Sequence, residues 1–195
     1  MRWKKQVEAE ILAILRRSPV PEDYQHALNV REWVRRLKPD ADTALELAAL
    51  SHDLERAMPA RKVQRRHFRD YDAFKRAHAE NSARIVQEIL TRHGVETNLV
   101  RRVTELVRHH EFGKDGDADA SVLKDADSLS FFEINLPHYF AREGAEETRA
   151  RMLWGYRRLS PRARKHLSAF RYDDERLNHL LQELKEMSEP MELEV

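Results

Sequence analysis

Hydrophobic positions recur at spacings of three and four residues along most of the chain, and the breaks in that rhythm divide it into helices. Trp3, Val7, Ile11, Leu12 and Leu15 make the first stripe, which Ser18-Pro19-Val20-Pro21 ends. A second helix is expected from about Glu22 to Leu37, with His26, Val30, Trp33 and Leu37 on one side and Lys38-Pro39-Asp40 as its break. The next run is different. From Ala44 to Leu50 only Glu46 interrupts Ala and Leu, so the pattern predicts a helix buried on nearly every side, capped by Asp42 or Thr43 and carrying His52 and Asp53 at its end. Met58 to Asp70 is charge-rich and reads as a loop with short helical turns, or as a cover.

The rhythm resumes from about Tyr71 to Arg92, closed by Gly94, with Phe74, His78, Ser82, Ile85 and Ile89 on one face. Thr97 or Asn98 then starts a helix on which Leu99, Val103, Leu106 and His110 align, with His109 one step round. Residues 111–117 form a polar loop that lacks the Asp spacing and closing Glu of a calcium-binding EF-hand. Ser121 is expected to cap a helix through Ile134. On it Leu123, Asp127, Phe131 and Ile134 form one stripe, and Val122, Asp125, Leu129 and Phe132 a neighbouring one, so either aspartate can face the core. Breaks at Pro137, Gly144 and Ser160-Pro161 predict three or four more helices, the last from Asp173 to Met187, before a frayed tail over residues 189–195. No segment alternates as a strand does. The expectation is an all-α protein, one helical domain over residues 1–188.

Composition narrows the chemistry. The 195 residues suffice for one well-filled core. Lys and Arg total 35 against 34 for Asp and Glu, a balance that argues against a nucleic-acid or membrane surface despite the Arg-rich stretch from Arg61 to Arg69. No apolar run approaches the roughly 20 residues that span a bilayer, and the N-terminus lacks the apolar core of a secretion signal, so a cytoplasmic protein is expected. There is no cysteine, which removes disulfides, thiolate nucleophiles and Cys-based zinc sites. Any metal must then rest on histidine and carboxylate. Of ten histidines, His26, His52, His78, His109 and His110 sit at or beside the inward side of a predicted helix, joined by Asp53 and by Asp125 or Asp127. Each histidine alone is more often a hydrogen-bonded core residue than a ligand. Together they make a donor set suited to Mn, Fe, Co, Ni or Zn, held inward by packed helices.

The order of His26, the His52-Asp53 doublet and Asp127 within Lys124-Asp125-Ala126-Asp127-Ser128-Leu129 resembles the HD superfamily of metal-dependent phosphohydrolases. In that superfamily His, His-Asp and Asp ligands lie in this order on about five core helices. The resemblance covers roughly residues 20–135 and implies a bundle of that type, with the C-terminal helices over about 137–188 as an extension. The family's Ala-Asp-x-Leu setting matches Ala126-Asp127-Ser128-Leu129. This favours Asp127 as the ligand and leaves Asp125 as an acceptor for a ligand histidine, or as the alternative ligand. Binuclear branches add histidines where His78, His109 and His110 stand. The His109-His110-Glu111 run is similar to the cyclic-dinucleotide phosphodiesterase branch, whose Gly-Tyr-Pro signature is absent here.

The resemblance implies hydrolysis of a phosphate ester in a nucleotide or another small phosphorylated metabolite. One divalent ion would rest on His26, His52, Asp53 and Asp127, and a second, bridged by Asp53, on His78, His109 and His110. Mn, Fe, Co, Ni and Zn suit these ligands, and Mg is also admitted. Metal chemistry of this kind acidifies water and neutralises phosphoryl oxygens, so no protein nucleophile is required. Glu55 is a candidate proton carrier, or else a surface carboxylate paired to a neighbouring Arg. Arg56, one turn after the doublet, and Lys75, one turn before His78, are candidates for holding phosphate. Two other readings share these residues: a diiron oxygenase of the same superfamily, and a regulatory module that binds a metal or nucleotide without turnover.

Overall fold

In the computed structural model, which describes residues 2–187, the Ala-Leu run becomes α3 (Thr43–Ser51), with Ala44, Leu45 and every residue from Leu47 to Ser51 buried. Asp42 caps it by accepting from the Leu45 N–H at 2.8 Å. Glu46, the one charge on this helix, is turned to the rim, where Lys4 (3.1 Å) and Arg35 (2.8 Å) pair with it. Around α3 stand α1 (Arg2–Leu15), α2 (Asp23–Leu37), α5 (Thr97–His109) and α6 (Ala118–Ser130). α2 also packs on α6, and α4 (Tyr71–Arg92) lies along α5. The chain continues through α7 (Leu136–Arg158), the short α8 (Pro161–Arg164) and α9 (Glu175–Glu186), whose buried Leu177, Leu180, Leu181 and Leu184 form the apolar face of a helix packed on α7. The fold is all-α, with no strand among the described residues.

The boundaries differ from the sequence reading where backbone chemistry decides them. α5 starts at Thr97 as expected, capped by Glu96, whose carboxylate reaches the Asn98 N–H, whereas α6 is capped by Asp117 rather than Ser121, because its carboxylate reaches the free N–H groups of Asp119 and Ala120. Pro137 ends nothing. A single π-type turn, Phe131–Asn135, joins α6 to α7, and Pro137 falls in the first turn of α7, where a missing N–H is tolerated. The hydroxyl of Tyr172 donates to the Phe132 carbonyl inside this turn at 2.8 Å. Gly144 interrupts α7 with φ 81°, a conformation that excludes most side chains, and the helix resumes beyond it. Residues 59–70 contain one short helical turn, Arg65–His67, and no buried residue. The tail over 189–195 lies outside the described residues.

Asp125 holds the corner between α7 and α8. Its carboxylate accepts from the Ser160 N–H at 2.8 Å and from the Ser160 hydroxyl at 2.5 Å, and that serine oxygen caps α8 by accepting from Ala163 at 3.2 Å. Asp125→Ala should therefore destabilise the fold by about 1–3 kcal/mol, the cost of leaving such buried partners unpaired. Denaturant unfolding checks this, and an unchanged midpoint would refute the anchoring role.

Candidate metal centre

The bundle's inward stripes deliver imidazoles from four directions to one carboxylate. His26 comes from α2, His78 from α4, and His52 and His110 from the residues that follow the last turns of α3 and α5. Asp53 lies between them. Its Oδ1 is 2.7 Å from His78 Nε2 and 3.8 Å from His110 Nε2. Its Oδ2 is 3.8 Å from His52 Nε2 and 4.0 Å from His26 Nε2. Asp127 adds an oxygen 3.2 Å from His26 Nε2 and 3.5 Å from His52 Nε2, and Glu111 adds one 3.2 Å from His110 Nε2. Donor atoms of His26, His52 and Asp53 fall within 4.8 Å of one another, as do those of Asp53, His78 and His110, and those of His110, Glu111 and Asp127.

The outer nitrogens settle where the ring protons sit. Nδ1 of His52 faces the Ala49 carbonyl at 2.9 Å and Nδ1 of His110 faces the Val107 carbonyl at 2.7 Å, and a carbonyl can only accept. Nδ1 of His78 donates to Glu55 Oε1 at 2.7 Å. Nδ1 of His26 meets the Ser130 hydroxyl at 2.8 Å, and that hydroxyl gives its own proton to the His26 carbonyl at 3.2 Å. All four Nε2 atoms of the neutral rings are then lone pairs aimed at each other and at carboxylates. His26 and His52 oppose theirs at 3.2 Å, and His110 Nε2 has no hydrogen-bond partner among the described residues. Such an arrangement is satisfied by protons or by a cation, and the outer bonds are those that orient ligand histidines. The group can hold a metal ion, and its nitrogen and oxygen donors fit a divalent transition metal.

The charges agree. Burial alone would raise the Asp53 pKa, but His52, His78 and Arg56 hold it well below the ordinary carboxylate value. Burial would likewise raise Glu111 and Asp127. Lys75 and Arg158 outweigh it for Glu111, and Arg158 with His26 and His52 for Asp127, so both stay ionised. Burial would lower His52, but Asp53 and Asp127 push it up to about 9, and His78 is raised by Asp53 and Glu55 against the same penalty. Without an ion, those protons supply part of the positive charge that the carboxylates demand.

The neighbouring side chains fall differently from the sequence reading. Glu55 is wholly buried, its Oε1 on His78 and its Oε2 on the Asn81 amide (2.5 Å) and the Val63 N–H (3.0 Å), so it is no surface carboxylate. Arg56 pairs with Asp23 at 3.0 Å and approaches Asp53 at 3.6 Å, and Lys75 is buried against Glu111. Asp125 faces Ser160 and pairs with none of the four inward histidines among the described residues. His109 stands half-buried outside the cluster, its pKa lowered by burial and by Lys114. Three residues were not marked by the sequence as parts of the site. Glu111 follows His110 at the head of a polar loop, and Ser130 aligns His26. Arg158 of α7 spans Glu111 Oε2 (3.1 Å) and Asp127 Oδ2 (2.8 Å).

A pocket of about 180 Å³ opens beside His78, with Arg56, Lys75, Tyr71, Phe74 and Phe131 in its wall. Larger hollows, of about 670 and 630 Å³, lie against α4 and α5 and against α7 and α9, and are lined by none of the clustered histidines and carboxylates. The family model of a domain of unknown function, DUF4202, matches residues 8–180. The chain belongs to that family. No curated protein and no solved structure matches it. The match takes in α7, so this DUF4202 domain includes Arg158 as well as the histidines. No helix among the described residues is long and apolar enough to cross a membrane.

The His52 proton gives the metal-free protein a defined pH response. A histidine whose folded pKa of about 9 exceeds its ordinary 6.5 lends stability that is complete below 6.5 and lost as pH rises through 9. Metal-free protein should therefore lose thermal stability across that interval. Metal should bind more tightly as pH rises through it, releasing protons. Differential scanning calorimetry and calorimetric titration in two buffers check both, and a flat stability profile from 6.5 to 9 would contradict the protonation pattern.

Proposed function

We propose that this chain is a cytoplasmic, metal-dependent phosphohydrolase of the HD type, acting on a phosphate ester in a nucleotide or another small phosphorylated metabolite. The observation that supports this is the convergence of four Nε2 lone pairs on Asp53, with every Nδ1 proton held from outside. His26, His52, Asp53 and Asp127 would hold one ion. Asp53, His78, His110 and Glu111 would hold a second. Divalent metal there supplies Lewis acidity, which acidifies water near neutral pH and offsets phosphoryl charge. Glu55 holds the His78 proton at Nδ1, which presents Nε2 as a ligand; with both oxygens engaged, it positions that ring rather than carrying protons. Arg158 keeps Glu111 and Asp127 ionised and aimed, and the apolar packing of α3 excludes bulk water from the group. The basic wall of the pocket beside His78 suits an anionic substrate.

Elemental analysis combined with a panel of phosphatase and phosphodiesterase substrates under Mn, Co, Ni, Mg and Zn tests the reading. His52→Ala and Asp53→Ala should reduce turnover to background with helix content retained, and near wild-type turnover in either would refute the site. Iron content with oxygen uptake would make the protein an oxygenase. Inactivity of fully loaded protein across the panel would make it a binding module.

Ion number has its own test. Saturated wild-type protein should hold two equivalents, and His78→Ala and His26→Ala about one each, from different positions. Asp127→Asn should lose far more metal affinity than Asp125→Asn. One equivalent in the wild type would reject the paired site.

A further inference from the structure

Five cations line the pocket beside His78, and three of them are committed to the protein. Arg56 holds Asp23, Lys75 holds Glu111, and Arg142 holds Glu22 at 2.6 Å. Arg151, on α7, holds no carboxylate. Among the described residues its guanidinium makes no ion pair or hydrogen bond, and its Nη1 is buried with no partner. Aromatic rings fix it in place instead. Its guanidinium carbon lies 4.4 Å from the ring centroids of both Phe131 and Trp154, and 5.9 Å from that of Tyr71. Lys62, the remaining cation of the wall, also makes no ion pair among the described residues.

Stacking satisfies the faces of a guanidinium but leaves its edge N–H groups without acceptors. A planar fork of donors stacked on rings in the wall of a cavity is complementary to a tetrahedral oxyanion, which accepts two parallel hydrogen bonds. The ring that carries Arg151 also carries Arg158, whose guanidinium carbon lies 4.6 Å from the Trp154 centroid, so one indole links this fork to the arginine on Glu111 and Asp127. We propose that Arg151, assisted by Lys62, is a binding site for a phosphate group of the substrate. The two residues first suggested for that task, Arg56 and Lys75, are already neutralised by the protein's own acids. The identity of the ligand as substrate rests on the hydrolase reading, whereas oxyanion binding at Arg151 does not.

The test uses the full chain, first metal-free in the presence of chelator. Inorganic phosphate is titrated while tryptophan fluorescence and heat are followed, since Trp154 touches the fork. Wild-type protein should bind saturably in the millimolar range or below, and Arg151→Gln should weaken binding about tenfold or more, the loss of one charge-assisted bidentate contact. Arg151→Lys should retain part of the affinity, and Arg149→Gln, an exposed site on the same helix, should leave it unchanged. If Arg151→Gln does not fold, Lys62→Gln must weaken phosphate binding about threefold or more. No saturable binding by wild type, or wild-type affinity in folded Arg151→Gln and in Lys62→Gln, overturns the proposal. In metal-loaded, active protein, inorganic phosphate should inhibit competitively, and Arg151→Gln should weaken that inhibition and raise KM. Non-competitive inhibition would mark a site for free phosphate alone and overturn the assignment to substrate. Phosphate binding at Arg151 without turnover on any ester would remove the hydrolase reading and leave the oxyanion site standing.

Discussion

An ionised carboxylate in a place without water is the constraint on which this structure depends. Asp53 is 7% exposed and stays charged, which costs several kcal/mol unless positive charge meets it at close range. Its two oxygens face opposite pairs of imidazoles, His78 and His110 on one side and His26 and His52 on the other. Those imidazoles are useful to Asp53 only with Nε2 inward, so each must find an acceptor outward for Nδ1. Ser130, the Ala49 carbonyl, Glu55 and the Val107 carbonyl are those acceptors, and they reach into α6, α3, the turn after it and α5. One buried charge thus fixes the relative rotation of most of the bundle.

Two of those acceptors come from the helix termini themselves. His52 and His110 each follow the last turn of a helix and return to the carbonyl three residues back, one of the groups that a helix C-terminus leaves unpaired. The same two termini bring the negative ends of α3 and α5 to the cluster, which favours positive charge there, whether proton or metal. Ending the helices at Ser51 and His109 is therefore part of the electrostatics of the site.

The sequence made the inward histidines legible because a helical stripe is a local property. His26, His78 and His110 share faces with Val30, Ile85 and Leu106, and burial of those neighbours carries the rings inward. What depended on relations between elements was not legible. His109 and His110 are one step apart on the helix, and only the packing of α5 against α3 and α4 decides which ring enters. Asp125 and Asp127 lie on adjacent stripes, and the position of Ser160, 35 residues on, claims Asp125. Glu111 sat at the start of a polar loop. Arg158 and Arg151 were hidden because charged residues make up 35% of the chain and nothing local distinguishes a buried arginine from a solvated one.

α7 changes how the two halves of the cluster compare. Arg158 reaches Asp127 and Glu111 alike, but Lys75 adds its charge to Glu111 alone. Arg158 meets Asp127 on Oδ2, so on the proposed reading the Oδ1 that faces His26 and His52 carries no arginine or lysine among the described residues. An ion on the His78 and His110 side must compete with an ammonium already seated on Glu111 Oε1. The two positions are therefore unequal before any substrate arrives, and the weaker is the one beside the pocket where Arg151 has no hydrogen-bond or ion-pair partner among the described residues. An anion entering that pocket lies beside Lys75, the cation that competes for Glu111, so substrate and the second ion should stabilise each other there by simple Coulomb attraction.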